Sequence, residues 1–200
     1  MTGMERAASL TTPGPIRPEW HDDADLAARF QAGEMASFDE IVTAHQQQIA
    51  RLVYRLLGEP DEVEDVVQEV FLSVLQNFKR FRGESKLSTW LAAIALNKCR
   101  SHYRRRLLRP RSLLRLAKNL VAPCDQVQPS EAAEIHQELR RAVQQLPARY
   151  REPIVLRYFE EMSPSEIGQV LGVSPNGVEV RLTRARRKLR KMLSIRLGEE

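Results

Sequence analysis

The sequence predicts an all-α protein made of two small helical domains joined by a flexible linker. Apolar residues recur at the 3.6-residue period of a helix in successive segments, and no segment alternates apolar and polar residues as a half-buried strand would. Capping residues begin several of these segments, and glycines end them. The chain has 200 residues, of which 42% are hydrophobic, so it has enough apolar side chains for two small packed cores.

The predicted helices fall into two groups along the chain. The first group contains a short helix ending at Gly33, a long helix ending at Gly58, a third beginning at residues 59–61 and a fourth beginning near Ser88. The segment that follows has three prolines and is typical of a linker, with leucines compatible with a short helix. The second group begins with a helix that Pro147 ends. The predicted boundaries are 1–21 for a flexible N-terminal tail, 22–108 for the first domain, 109–130 for the linker and 131–197 for the second domain.

The last two predicted helices indicate a helix-turn-helix. Ser163, followed by Pro164 and by Glu166 three residues on, forms a capping box that begins a short helix, and Gly172 ends it. Residues 174–175, again serine and proline, begin a second helix with one narrow apolar face. Such a unit places its second helix in the major groove of DNA. The alternative is a solvated, membrane-surface or calmodulin-type basic helix, which the two caps and the turn disfavour. Basic residues fill the rest of the circumference of this second helix: Arg181, Arg184, Arg186, Arg187, Lys188, Arg190 and Lys191.

Charge is unevenly distributed along a chain whose net charge is +5. No acidic residue occurs from Lys98 to Lys118 among many basic ones, whereas six acidic residues lie from Glu59 to Glu69. Segregated basic segments favour a polyanionic partner, and the acidic segment favours a different, basic one.

Leu72 does not fit the apolar face of the third helix. It projects near the opposite side, among Asp65, Gln68, Glu69 and Gln76. A single exposed leucine is ordinary and needs no functional explanation. A protein-docking patch centred on this leucine is the equally supported alternative.

Sequence motifs for catalysis, cofactors and metals are absent. There is no glycine-rich phosphate loop, HExxH motif or paired cysteine motif, and Cys99, His102, Cys124 and His136 match no common zinc spacing. We therefore expect no catalytic residue, no metal and no cofactor. No apolar run could span a bilayer and no signal-like segment begins the chain, so we expect a cytoplasmic protein that does not insert into membranes.

Three segments, in order, resemble a known family. DEVEDVVQEVFLSVLQNF resembles the helix that extracytoplasmic-function sigma factors dock on bacterial RNA polymerase. FRGESKLSTWLAAIALNKCRSHYRRR resembles their promoter-melting segment, and LPARYREPIVLRYFEEMSPSEIGQVLGVSPNGVEVRLTRARRKLR their C-terminal domain. The resemblance covers about residues 22–195 and implies a sigma factor that recruits core polymerase and opens promoter DNA. The implied partners are the β′ clamp coiled coil and β flap of core RNA polymerase, promoter DNA and an anti-sigma factor.

The resemblance also implies roles for individual residues. The polymerase-binding residues would be Asp65, Gln68, Glu69, Leu72 and Gln76. The loop Arg82, Gly83, Glu84, Ser85 and Lys86 would hold a flipped base of the minus-ten element, with Asn97, Arg100, Tyr103 and Arg104 along the melted strand and Arg105 and Arg106 on phosphates. The residues facing the minus-thirty-five duplex would be Ser174, Asn176, Gly177, Arg181, Arg184, Arg187 and Lys188.

Four positions depart from the family pattern and bear on promoter choice. Ser101 stands where aspartate is common, Leu96 where arginine is frequent, Gly177 where threonine is frequent and Glu179 where lysine is frequent.

One alternative function is a helix-turn-helix repressor or activator acting on duplex DNA, which needs neither the acidic docking helix nor the melting segment. The other alternative function is a nucleic-acid enzyme, but such an enzyme would need clustered carboxylates or a metal site. Because a flexible linker leaves the two DNA-binding surfaces at no fixed separation, the isolated chain is expected to bind promoters poorly.

Overall fold

Eight α-helices form the described parts of the chain, which are residues 24–108 and 131–197 of a computed structural model. No strand occurs within these ranges, so the all-α prediction is confirmed. The predicted tail and linker, including the short leucine-containing helix, lie outside the described residues. The helices are α1 Ala24–Gln31, α2 Ala36–Leu57, α3 Val63–Asn77, α4 Leu87–Leu108, α5 Glu131–Gln145, α6 Ala148–Tyr158, α7 Pro164–Leu171 and α8 Pro175–Leu197.

The predicted caps determine several helix ends. Gly58 ends α2 in the left-handed region at φ 80°, and its N–H donates to the carbonyl of Tyr54 at 2.8 Å. Ser163 and Glu166 form both hydrogen bonds of the capping box, at 3.2 and 2.9 Å. The start of the third helix differs from the prediction, because residues 60–62 form a 3-10 turn and the α-helix begins only at Val63.

The N-terminal helical domain (α1–α4) encloses an aromatic cluster. The ring of Phe78 lies 4.1 Å from that of Phe30 and 5.6 Å from that of Trp90, both edge to face. His45 is also fully buried in this domain. Fully burying a phenylalanine side chain such as that of Phe78 contributes about 1.5–3 kcal/mol to stability. This core supports the outer faces of α3 and α4, on which the candidate sites lie.

The C-terminal helical domain (α5–α8) packs the helix-turn-helix against α6. Val178, Leu182 and Ala185 of α8 are buried, as the narrow apolar face predicted. Gly168 of α7 allows the turn to approach closely, because a Cβ there would lie 2.7 Å from the carbonyl oxygen of Val173. Tyr158, at the end of α6, is 51% exposed.

The two domains pack against each other in the structure. Helix α4 contacts α7, and α2 contacts α5 and α6. The guanidinium of Arg55 in α2 lies 2.8 Å from the carboxylate of Glu160, which is only 1% exposed. Burial raises the pKa of Glu160, although Arg55 and Gln48 oppose that shift. No sequence pattern indicated this packing, which in this structure gives the two predicted DNA-binding surfaces a definite separation.

Candidate polymerase-docking and nucleic-acid interfaces

The outer face of α3 carries an exposed apolar patch. Leu72 is 57% exposed and Leu75, one helical turn further on, is 40% exposed. The exposed side chains of Asp65, Gln68 and Gln76 share this helix. The structure thus places Leu72 outside the core, as the helical pattern predicted. Leu75 was not predicted to belong to this patch, although its spacing of three residues from Leu72 places both side chains on one side of the helix.

Acidic residues next to this patch pair with the basic end of α4. Arg105 donates two hydrogen bonds to the carboxylate of Glu69, each 2.9 Å long. Arg106 lies 3.2 Å from Glu59 and 3.3 Å from Glu62. The acidic segment that suggested a basic partner therefore has one within the chain. The two arginines predicted to contact phosphate are held against α3 and its preceding turn.

The loop between α3 and α4 borders a hollow of about 400 Å³. Its residues Arg82, Gly83, Glu84 and Lys86 are exposed and Ser85 is half-buried. Gly83 adopts φ 71°, and a Cβ added there would meet no atom within 4 Å, so the loop is open on that side. The Nζ of Lys86 lies 3.0 Å from Glu166 in α7. Hydrogen bonds from Ser163 and Lys86 outweigh partial burial and keep the pKa of Glu166 below its usual value.

The residues predicted to follow the melted strand line a cleft of about 500 Å³ between the domains. Asn97, Arg100, Tyr103 and Arg104 contribute from α4. From the C-terminal domain come Arg149, Arg151, Glu152 and Arg181. The cleft is strongly basic, and the one acidic residue among the described residues that line it, Glu152, pairs with Arg100. Leu96, apolar where the family often has arginine, is buried beside it.

The recognition helix α8 presents most of its predicted residues to solvent. Asn176, Arg184, Arg187 and Lys188 are exposed. The hydroxyl of Ser174 accepts a hydrogen bond from the N–H of half-buried Gly177 at 3.1 Å, so Ser174 acts as the cap of the helix. Arg181 differs from the rest, because it is half-buried and lines the interdomain cleft instead of the exposed face.

Within the described residues, no three His, Cys, Asp or Glu side chains come together as a metal site would require. Cys99 is buried, and burial raises the pKa of its thiol to about 12. His102 lies 3.1 Å from Glu62. No described helix is both long and apolar enough to cross a bilayer.

Family profiles match both domains of the chain. The profile described as Sigma-70 region 2 matches residues 41–108, and that described as Sigma-70, region 4 matches residues 136–189. Together with the helix-turn-helix and the basic α4, these matches define a sigma-70-type transcription initiation protein.

Individual relatives narrow this class. The chain is 34% identical to the ECF RNA polymerase sigma factor SigW of Bacillus subtilis, over 80% of this chain and 91% of SigW. It is 36% identical to the RNA polymerase sigma factor CnrH of Cupriavidus metallidurans, over 86% and 95% of the two chains. The solved structure of CnrH in complex with the cytosolic domain of CnrY covers 88% of this chain and 99% of that chain at a TM-score of 0.65 and 29% identity. The chain belongs to the extracytoplasmic-function family of RNA polymerase sigma factors.

Membership in this family favours the sigma-factor interpretation over a helix-turn-helix repressor or activator. The relatives are sigma factors, which regulate transcription and are not themselves enzymes. Transcription initiation and DNA binding are therefore the activities of this chain at the level of its family.

Proposed function

We infer that this chain docks on core RNA polymerase through the face of α3 centred on Leu72. The observation that carries this inference is the exposure of an apolar side chain among acidic and amide groups, on a domain whose α4 is basic. A repressor acting on duplex DNA alone has no need for such a patch. An apolar centre with a charged rim is the usual composition of a protein-binding hot spot. Asp65, Gln68, Glu69 and Gln76 form the rim and Leu75 extends the centre.

The same domain would open and hold the minus-ten element. The loop Arg82 to Lys86 and its adjoining hollow would receive a flipped base, since the loop offers backbone groups and short polar side chains. Asn97, Arg100, Tyr103 and Arg104 would bind the melted strand, with Tyr103 stacking on a base. Arg105 and Arg106 would exchange their carboxylate partners for backbone phosphates. Such phosphate contacts would position the strand without reading its sequence.

Helix α8 would read the minus-thirty-five duplex from its exposed face. Asn176 and Arg184 lie there beside half-buried Gly177, with Arg187 and Lys188 available for phosphates and Ser174 capping the helix. Arg181 would join this contact only after the domains separate, since it lines the cleft. Arg100 has the same requirement, because it pairs with Glu152 of the C-terminal domain. Promoter opening would therefore include separation of α4 from the C-terminal domain.

Control by an anti-sigma protein in the cytoplasm completes the proposed function. The relative CnrH has been solved in complex with the cytosolic domain of a protein, CnrY, and this supports a protein partner for the present chain as well. Such a partner would act by keeping the α3 face from polymerase or by holding the two domains together.

The test is transcription in vitro from a library of randomised promoters, with core RNA polymerase and with or without the full chain. We expect new transcripts whose start sites share two upstream elements, and we expect Leu72→Ala to reduce them. The matched control is Met35→Ala, a similarly exposed apolar residue that directly precedes α2, which should leave transcription unchanged. A chain that binds one duplex sequence tightly without polymerase, and supports no transcription, would contradict the proposal and favour a repressor.

A further inference from the structure

Val180 is an exposed apolar residue in the middle of the basic recognition helix. Its side chain is 42% exposed, whereas Val178 and Leu182 on either side of it are buried. At about 100° per residue, Val180 lies roughly opposite the centre of the buried face of α8. The residues that share this outer surface, Asn176, Thr183, Arg184 and Arg187, are all exposed.

The fold does not account for a valine at this position. An exposed valine contributes little burial, and β-branched residues are weaker helix formers than alanine or the charged residues around it. Single exposed apolar residues are common on protein surfaces, so exposure alone assigns no function. Position is the additional observation, because the side of a recognition helix opposite its core is the side that enters the major groove.

The packing of the two domains leaves this surface open. Arg181, the next residue, is half-buried in the interdomain cleft, but Val180 is exposed in the same arrangement. The side chain is therefore available to duplex DNA whether or not the domains separate. It is also the most apolar side chain on the exposed face of α8, where Asn176 and Arg184 offer hydrogen-bonding groups on either side.

We propose that Val180 selects a thymine in the upstream promoter element by contact with its 5-methyl group. A valine has no donor or acceptor, and the thymine methyl is the apolar feature that the major groove presents. Asn176, one helical turn earlier, has the amide suited to an adjacent adenine, and Arg184, one turn later, suits a guanine or a phosphate. The inference rests on the proposed function, since it takes α8 as the reader of the minus-thirty-five duplex.

The experiment removes the methyl group from each side of the contact in turn. Each thymine of the upstream element is replaced by deoxyuridine, which lacks only the 5-methyl group, and binding of the polymerase complex is measured with the wild-type chain and with Val180→Ala. For the wild type we expect about a fourfold loss of affinity at one thymine, the value of one buried methyl group. With Val180→Ala that position should lose its sensitivity, while the melting temperature of the free chain stays unchanged because the side chain is exposed.

One control variant and two contrary outcomes separate the possible failures. Val180→Ile keeps the apolar contact and should keep the sensitivity to deoxyuridine at the same position. Equal sensitivity in the wild type and in Val180→Ala, or none at any thymine, would overturn the role of Val180 while leaving promoter recognition intact. If the wild-type chain directs polymerase to no promoter, the proposed function itself fails and this inference with it.

Discussion

Arg100 and Glu152, which are 52 residues apart in sequence, form a bidentate ion pair between the two domains. The Nε of Arg100 lies 2.8 Å from Oε1 of Glu152 and its Nη2 lies 2.6 Å from Oε2. The hydrogen bond to Glu152 raises the pKa of Arg100, which thus remains charged. A buried carboxylate of the C-terminal domain therefore occupies a guanidinium that is predicted to bind the melted DNA strand. Bidentate recognition of this kind suits phosphate as well as carboxylate.

Glu152→Gln should loosen the packing of the two domains. The substitution keeps the shape but removes the charge, and one charge-assisted hydrogen bond contributes on the order of 2 kcal/mol. We expect a larger radius of gyration by small-angle scattering and tighter binding of a single-stranded oligonucleotide by the free chain. Glu34→Gln is the control, because Glu34 pairs with Arg29 within the N-terminal domain. Unchanged scattering and binding would show that this pair does not hold the domains together.

Leu72→Ala should weaken binding to core polymerase without unfolding the chain. The exposed leucine adds little to the core, whereas truncating the centre of a docking patch typically costs more than about 1 kcal/mol of binding free energy. The measurements are affinity for core polymerase and a thermal melt of the free protein, with Met35→Ala as the control of similar exposure. Wild-type affinity for Leu72→Ala would move the docking surface to another face.

Arg105→Ala and Arg187→Ala should weaken binding of the polymerase complex to all promoter sequences alike. Each lost phosphate contact should reduce the slope of log affinity against log salt by about 0.9, since fewer counterions are released. Arg141→Ala supplies the control, because Arg141 pairs with Glu138 on α5 and has no predicted DNA contact. A loss restricted to one promoter sequence would mean that the substituted arginine reads bases.

Gly168→Ala should destabilise the helix-turn-helix. The new Cβ would lie 2.7 Å from the backbone oxygen of Val173, which cannot move without distorting the turn. Such overpacking typically costs about 1–3 kcal/mol, measurable as a lower midpoint in urea. Ser165→Ala, an exposed change on the same helix, should leave that midpoint nearly unchanged. A wild-type midpoint for Gly168→Ala would show that the turn accommodates a side chain.

Cys99 should resist alkylation in the folded protein at pH 8. Its pKa is raised to about 12 by burial, so almost no reactive thiolate is present at that pH. Since the raised pKa belongs to the folded state, this thiol also makes folding less favourable as pH rises through its unfolded pKa. The measurement is the iodoacetamide reaction rate in a Cys124→Ser background, folded and in urea. Rapid labelling of the folded chain would contradict the buried position of the thiol.

Features that depend on a few neighbouring residues could be predicted from the sequence. The capping box at Ser163 and Glu166, the glycine that ends α2 and the exposure of Leu72 all follow from spacing along one helix. The start of α3 was less predictable, because a 3-10 turn and an α-helix share the same acidic and proline signals. Leu75 and Val180 have exposures that helical spacing implies, yet neither was identified from the sequence.

The sequence by itself determined the all-α class, the two helical groups and the amphipathic faces, because periodicity and capping act within one or two helical turns. Only the tertiary structure decided which charged groups meet. Arg100 with Glu152, Lys86 with Glu166 and Arg105 with Glu69 join residues far apart in the chain. The neighbouring sequence does not distinguish a charged side chain that faces solvent from one that contacts a phosphate or a distant carboxylate. Its partner is fixed only when separate helices pack and bring particular atoms within hydrogen-bonding distance.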